Sequence, residues 1–256
     1  MTWGCTHCAR ALCNREQTGQ EAGANLGPVR LMTRAGALGV YFSLLVAAPT
    51  PAQVILVYGQ SAGSRVDRID VSEEVLPDRA IQVISVTSGE TYRIESDDAW
   101  RVNACEFEYS SGDTSWAARR DGNSLRLDGI VQGRAVHRTF AIDEHPWYES
   151  VEQSLQAFAL SGSPRPRLFW IVEPYGGNAY LMTGRIEGRE VIEVNGSPVD
   201  AVRLVVRPAG VLSFIWSSTN WFSARDGTFL KSESVRGVLP FTPTTVVELQ
   251  EDRRGQ

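Results

Sequence analysis

The chain has 256 residues, of which 43% are hydrophobic and 21% charged, with a formal net charge of −5. That length and apolar content suffice for one domain with a substantial core, and the acidic balance argues against a nucleic-acid surface. With four cysteines in the whole chain, a dense disulfide framework is also excluded.

From the beginning of the chain, residues 32–52 read as a secretory signal peptide. Arg34 supplies the positive start, Ala35 to Ala48 is uncharged, and Thr50-Pro51-Ala52 offers small residues at the cleavage positions. Residues 1–31 then stand as a discarded or non-native leader. Cys5-Thr6-His7-Cys8, with Cys13 nearby, has the spacing of a metal or redox knuckle, but no second CxxC or histidine pair follows it. The competing reading is a membrane anchor over residues 35–58, which Pro49 and Pro51 interrupt. Cleavage after Ala52 takes away four arginines and two glutamates, leaving 21 basic and 28 acidic residues and a net charge near −7. The expected product is an exported, periplasmic or extracellular domain over residues 53–256 with no stable membrane span. Cys105 is then its sole cysteine, and alternation with Phe107 and Tyr109 predicts a buried, inert thiol.

Turn signals at Ser111-Gly112-Asp113, Asp121-Gly122-Asn123, Gly133, Gly176-Gly177-Asn178, Glu187-Gly188, Asn195-Gly196 and Asp226-Gly227 separate short runs rich in Val, Ile, Phe and Trp. The predicted strands are 79–87, 101–109, 114–120, 123–131, 134–142, 167–173, 179–187, 189–194, 199–207, 213–223, 228–236 and 244–250. Asn195-Gly196 suits a two-residue hairpin of type I′, which needs positive φ at both central positions. Val202, Leu204 and Val206 share one face and Arg203 and Arg207 the other, the pattern of a half-buried strand.

Residues 146–160 break this rhythm. Trp147, Val151, Leu155 and Phe158 recur at helical spacing, with Glu149, Glu152 and Gln156 elsewhere on the wheel, Pro146 at the first helical position and Ser161-Gly162 at the end. The expected fold is mainly β: a curved antiparallel meander or incomplete barrel with this one amphipathic helix packed on its concave side.

Catalytic signals are thin. Gly59-Gln60-Ser61-Ala62-Gly63 matches the G-x-S-x-G elbow of hydrolases, but few mature residues precede it and Ser64-Arg65-Val66-Asp67-Arg68 is too polar for the helix that should follow. Glu106 and Glu108, two apart on a predicted strand, have the spacing of a carboxylate pair and also that of a solvated outer face. Asp97-Asp98 and Glu73-Glu74 read as loop charges. His137 and His145 show no metal-ligand spacing, Asp143-Glu144-His145 would point alternate ways in an extended segment, and no phosphate-cradling glycine loop is present, so neither metal nor nucleotide cofactor is expected. No catalytic residue is assigned.

The aromatic residues are the better candidates. Six tryptophans fall within residues 53–256, and Phe214, Trp216 and Phe222 share one strand parity while Trp221 takes the other. Trp170, Tyr180, Phe214, Trp216 and Trp221 are the candidate ligand-binding set, because flat side chains with one polar atom suit a concave site for an acyl chain or a sugar ring; the same residues also suit a helix–sheet seam.

The stretches Val202-Arg203-Leu204-Val205-Val206-Arg207-Pro208 and Trp221-Phe222-Ser223-Ala224-Arg225-Asp226-Gly227-Thr228-Phe229-Leu230-Lys231-Ser232-Glu233 resemble the domain-of-unknown-function 3108 group of exported bacterial proteins. The resemblance covers residues 165–250 and implies an envelope protein with a curved antiparallel sheet and no catalytic residues to carry over. Three functions stay open: a non-catalytic envelope protein binding a lipid or glycan, an exported hydrolase using Glu106 and Glu108 or Ser61, and a scaffold offering a sheet edge to an envelope protein.

Overall fold

The computed structural model describes residues 54–213, 216–236 and 244–254. The proposed leader, signal peptide and anchor therefore lie outside the described residues, as does Phe214. Fourteen strands form one antiparallel sheet: β1 (Val54–Ala62), β2 (Arg65–Leu76), β3 (Arg79–Val86), β4 (Glu90–Ser96), β5 (Val102–Tyr109), β6 (Ser115–Asp121), β7 (Ser124–Val131), β8 (Arg134–Ala141), β9 (Arg167–Glu173), β10 (Asn178–Val194), β11 (Ser197–Pro208), β12 (Trp216–Ser223), β13 (Phe229–Arg236) and β14 (Thr245–Asp252). Two short helices, α1 (Val151–Ser154) and α2 (Gln156–Ser161), interrupt the meander between β8 and β9.

Each strand pairs with its neighbours in sequence, and β1 pairs with β14 in the middle of the sheet, so the order runs from β8 through β1, then β14, to β9. The edges β8 and β9 are therefore consecutive strands in the chain. Alternation turns one row of every strand inward: Ile69 and Val71, Ile84 and Val86, Tyr92 and Ile94, Cys105 and Phe107, Leu125 and Leu127, Leu204 and Val206 are all buried. Asn195 and Gly196 both take positive φ at the β10–β11 turn (51° and 74°), as the hairpin signal requires.

Three strands depart from the expected pattern. β1, β2 and β4 fall where no strand is predicted, β1 covers the apolar run and most of the G-x-S-x-G string, and Glu73-Glu74 sits within β2 rather than in a loop. The runs 179–187 and 189–194 form one strand, β10, with a bulge between Ile186 and Gly188. The inserted residue keeps both halves paired with β11 while shifting which side chains face which way.

The helix expected over 146–160 begins later and is broken. Residues 146–148 run extended alongside β9: the Trp170 amide donates to the Pro146 carbonyl (2.8 Å) and the Tyr148 amide to the Trp170 carbonyl (2.8 Å). On the other side, the Val102 amide donates to the Trp147 carbonyl (2.9 Å). Backbone partners on two strands thus outcompete the first helical turns. Leu155, between the two short helices, and Phe158 and Ala159 of α2 still pack inward, and α2 ends at Gly162 in the left-handed conformation (φ 61°).

Candidate ligand-binding site inside the curled sheet

The gap between edge strands β8 and β9 is bridged by side chains rather than by a strand ladder. Arg138 on β8 donates to the carbonyl oxygens of Gly176 (2.5 Å) and Gly177 (3.0 Å) and to Asn178 Oδ1 (3.2 Å) in the β9–β10 connection. Arg120 holds the carbonyls of Asp143 (2.9 Å) and His145 (2.8 Å). The Trp170 indole N–H donates to Asp143 Oδ1 (2.8 Å), and His145 Nδ1 stands 2.8 Å from the same oxygen. These contacts, the Trp170 bond first, pull the Asp143 carboxyl down to about 2. Trp170 is therefore a member of the seam, with its polar atom already engaged.

The β9–β10 connection also crosses the inner face of β4–β6. Trp116 donates its indole N–H to the Pro174 carbonyl (2.7 Å), and the Tyr175 hydroxyl donates to Glu90 Oε1 (2.5 Å). The Tyr175 ring meets Phe107 and Tyr109 edge-on, at 5.8 and 5.7 Å between centroids. Glu173 anchors this connection by accepting from the amides of Tyr175 (2.8 Å) and Gly176 (2.7 Å). Burial pushes both Glu90 and Glu173 up from the ordinary carboxylate value, against the pull of these hydrogen bonds.

Deeper inside, α1 and the segment entering it carry buried polar residues, among them Glu149 and Glu152, which the helical wheel sets apart from the apolar stripe. Glu149, Ser150, Glu152, Gln153 and Ser154 are all buried. Glu149 Oε2 accepts from the Trp147 indole N–H (2.6 Å) and from the Val172 amide (3.0 Å), yet burial dominates and raises its carboxyl to about 7. The Ser150 hydroxyl donates to Gln153 Oε1 and, at 3.4 Å, to Glu152 Oε2. Burial, and next the charge of Glu152, push the Tyr58 hydroxyl far above its ordinary value.

The inner face of β3 and β4 holds a second polar group. Gln82 lies opposite Glu73 on β2 and Ile94 on β4, while Ser96 lies opposite Ala80, which makes Gln82 and Ser96 diagonal neighbours on the same face. Both are 1% exposed, and among the described residues neither the Gln82 amide nor the Ser96 hydroxyl has a hydrogen-bond partner. Buried polar atoms are rarely left in this state, because each forfeits its hydration without compensation. Glu73, beside Gln82, is also pushed up by burial, partly offset by Arg254.

The aromatic candidates are dispersed. Trp216 and Trp221 lie on opposite faces of β12: Trp216 shares its parity with Ser218, Asn220 and the fully buried Phe222, and its indole nitrogen is buried without a partner among the described residues. Trp221 donates to Glu190 Oε1 (2.6 Å) and lies under Lys231, whose ammonium is 5.6 Å from the ring centre. Tyr180, opposite Ile171, is half-buried at the β9–β10 edge. Sequence reasoning missed Gln82 and Ser96 entirely. The one available signal was a polar residue at an inward position of an otherwise apolar alternation, Ala80-Gln82-Ile84-Val86.

The hydrolase residues do not converge. Ser61 lies within β1, opposite Val66 and Val246, and Gly63, at positive φ, belongs to the β1–β2 turn rather than to a strand–helix elbow. Glu106 and Glu108 are exposed on the outer face of β5, bordering a trough of about 520 Å³ floored by Ala117 and Gly129; Ser61 borders a separate trough of about 640 Å³ across β14, β1 and β2. Cys105 is buried, and burial drives its thiol well above the ordinary value. Among the described residues no three His, Cys, Asp or Glu side chains form a metal-binding group, and no helix is long and apolar enough to cross a membrane.

No protein-family model matches this chain, and no curated protein matches it. Among solved structures it is similar to a beta-barrel-like protein of Domain of Unknown Function DUF1849 from Brucella abortus, at 8% identity and a TM-score of 0.49 over 79% of this chain and 99% of the other. It is also similar to the hypothetical lipoprotein YmcC from Escherichia coli K12, at 10% identity and a TM-score of 0.36 over 77% of this chain and 84% of the other.

Proposed function

We propose that this chain is an exported, non-catalytic envelope protein that takes an amphipathic ligand, a lipid or a glycan, against the inner face of its curled sheet. The observation that carries this reading is the Gln82 amide, buried on the concave face beside the Ser96 hydroxyl with no partner for either group among the described residues. A ligand presenting a hydroxyl, amide or ester to that face, and an apolar body to the surrounding Ile84, Ile94 and Tyr92, would satisfy both kinds of surface at once. The signal-like residues 32–52 and the resemblance of residues 165–250 to the domain-of-unknown-function 3108 group support export and an envelope setting.

Native mass spectrometry of gently purified protein tests this directly, and the expected result is a co-purifying small molecule. Gln82→Leu should lower the occupied fraction while leaving the empty protein as stable or more so, since an apolar side chain of similar size removes an unsatisfied amide. Repeatedly empty preparations, with no change in tryptophan fluorescence on adding lipid vesicles or oligosaccharides, would overturn the proposal.

A further inference from the structure

β10 is much longer than the strand on its outer side. It pairs with β11 from Met182 to Val194, but with β9 only from Asn178 to Gly184. From Arg185 to Val194 no described strand covers the second edge, and none of the turn and loop backbone bonds engages it. A row of free backbone donors and acceptors of this length is a template for strand addition.

The side chains along that edge restrict what can pair with it. Arg189, Val191 and Glu193 alternate on one face, all three are exposed, and Val191 retains 63% of its surface. Neither Arg189 nor Glu193 forms an ion pair with any described residue, whereas Glu187 is already held by Arg203 (2.9 Å) and Glu190 by Trp221 (2.6 Å). Glu190, Ile192 and Val194 form the alternate row, and Val194 is buried against the body of the domain. The exposed row is therefore available to a partner while its hairpin stays anchored, in part by Asn195, which donates to the carbonyls of Leu249 (2.9 Å) and Gln250 (3.2 Å).

We propose that this edge pairs with the same edge of a second copy of this chain, antiparallel about a two-fold axis through Val191. A two-fold axis perpendicular to a continuous sheet keeps each face on its own side, so it must pass between a residue and its own counterpart. Centred on Arg189 or Glu190, the pairing sets like charges directly opposite each other; centred on Val191, it places Val191 against Val191 and Arg189 against Glu193 of the other copy, twice by symmetry. Centring on Gly188 also pairs opposite charges, but it uses Glu187, which Arg203 occupies, and leaves Val191 facing Arg185. The Val191 register covers the exposed valine and the two unpaired charges together, with backbone pairing from Gly188 to Val194.

Sedimentation velocity on the full chain tests the proposal. The wild type should form a dimer at concentrations up to about 0.1 mM, within the range of a weak but specific association. Arg189→Glu and Glu193→Arg should each weaken it by roughly ten-fold or more, because each creates two like-charge pairs across the axis. The double variant R189E/E193R should restore it. Circular dichroism and melting temperature should be unchanged in all three, since both side chains are exposed and neither makes an ion pair with a described residue. A chain that stays monomeric, a dimer indifferent to the single reversals, or a double variant that fails to recover would each overturn the inference.

Discussion

The indole N–H of Trp116 donates to the carbonyl oxygen of Pro174 at 2.7 Å, joining β6 to the β9–β10 connection across 58 positions of chain. Together with the Arg138 and Arg120 contacts, this bond ties the β6–β8 side of the open sheet to the β9 side where no strand ladder does. Trp116→Phe keeps most of the ring's packing but leaves a buried carbonyl unsatisfied, so it should cost about 1–3 kcal/mol, read as a lower urea midpoint with an unchanged slope.

On the same seam, Arg138 gathers three acceptors from residues 176–178. Arg138→Met should cost about 1 kcal/mol, given the partial exposure of the side chain. Its more specific signature is local: hydrogen exchange should accelerate in the amides of residues 174–178 and β8, with β1 and β14 unaffected.

Gly129 lets β6 and β7 approach closely. A Cβ at this position would lie 2.3 Å from the Ser115 carbonyl oxygen and 2.6 Å from Trp116 Cα, both backbone atoms that cannot swing away. Gly129→Ala should therefore destabilise by about 2 kcal/mol or more, measured by equilibrium denaturation, while Gly112→Ala, which meets no atom within 4 Å, should lose much less and only through its positive φ.

The buried carboxylates set the pH dependence. Glu149, at about 7 in the fold against an ordinary 4.5, stabilises the fold in its protonated form; that contribution is complete below the unfolded value and lost as pH rises through about 7. Glu73, Glu90 and Glu173, all shifted upward, act in the same direction. Asp143, at about 2, acts oppositely, and its contribution fades only as pH falls below the ordinary aspartate range. Melting temperature should consequently rise as pH is lowered from about 8 to about 5 and fall again below about 4. Glu149→Gln, which still accepts from Trp147 and Val172, should flatten the upper limb; a profile as steep as the wild type would show that Glu149 does not govern it.

The strands that alternation announced, such as Val202 to Arg207 and the Cys105-Phe107-Tyr109 row, have inward positions occupied by apolar residues. β2 and β4 were illegible because several of their inward positions are polar: Asp67 and Glu73 on one, Glu90 and Ser96 on the other. The period-two signal fails at those sites, and Glu90 and Ser96 are polar groups on the buried inner face. The helical wheel over 146–160 was half right for a related reason. Leu155 and Phe158 point inward as expected, but Glu149 and Glu152 do too, because Trp147, Val172 and Ser150 supply hydrogen-bonding partners that spacing alone does not reveal. Trp170 and Trp221 advertised aromatic surface in the sequence; whether an indole nitrogen is already occupied, as both are, depends on Asp143 and Glu190 arriving from elsewhere.

Because β1 meets β14 at the centre of the sheet, the earliest and latest described strands to leave a ribosome or translocon must find each other across nearly the whole polypeptide. Residues 54–141 and 167–252 can each assemble as a local up-and-down ribbon while the rest of the chain is still being delivered. Zipping Leu56–Ala62 onto Thr245–Asp252 is then a late, high-contact-order event, and until it occurs two sticky inner faces remain open to the holdase chaperones of whatever compartment receives them.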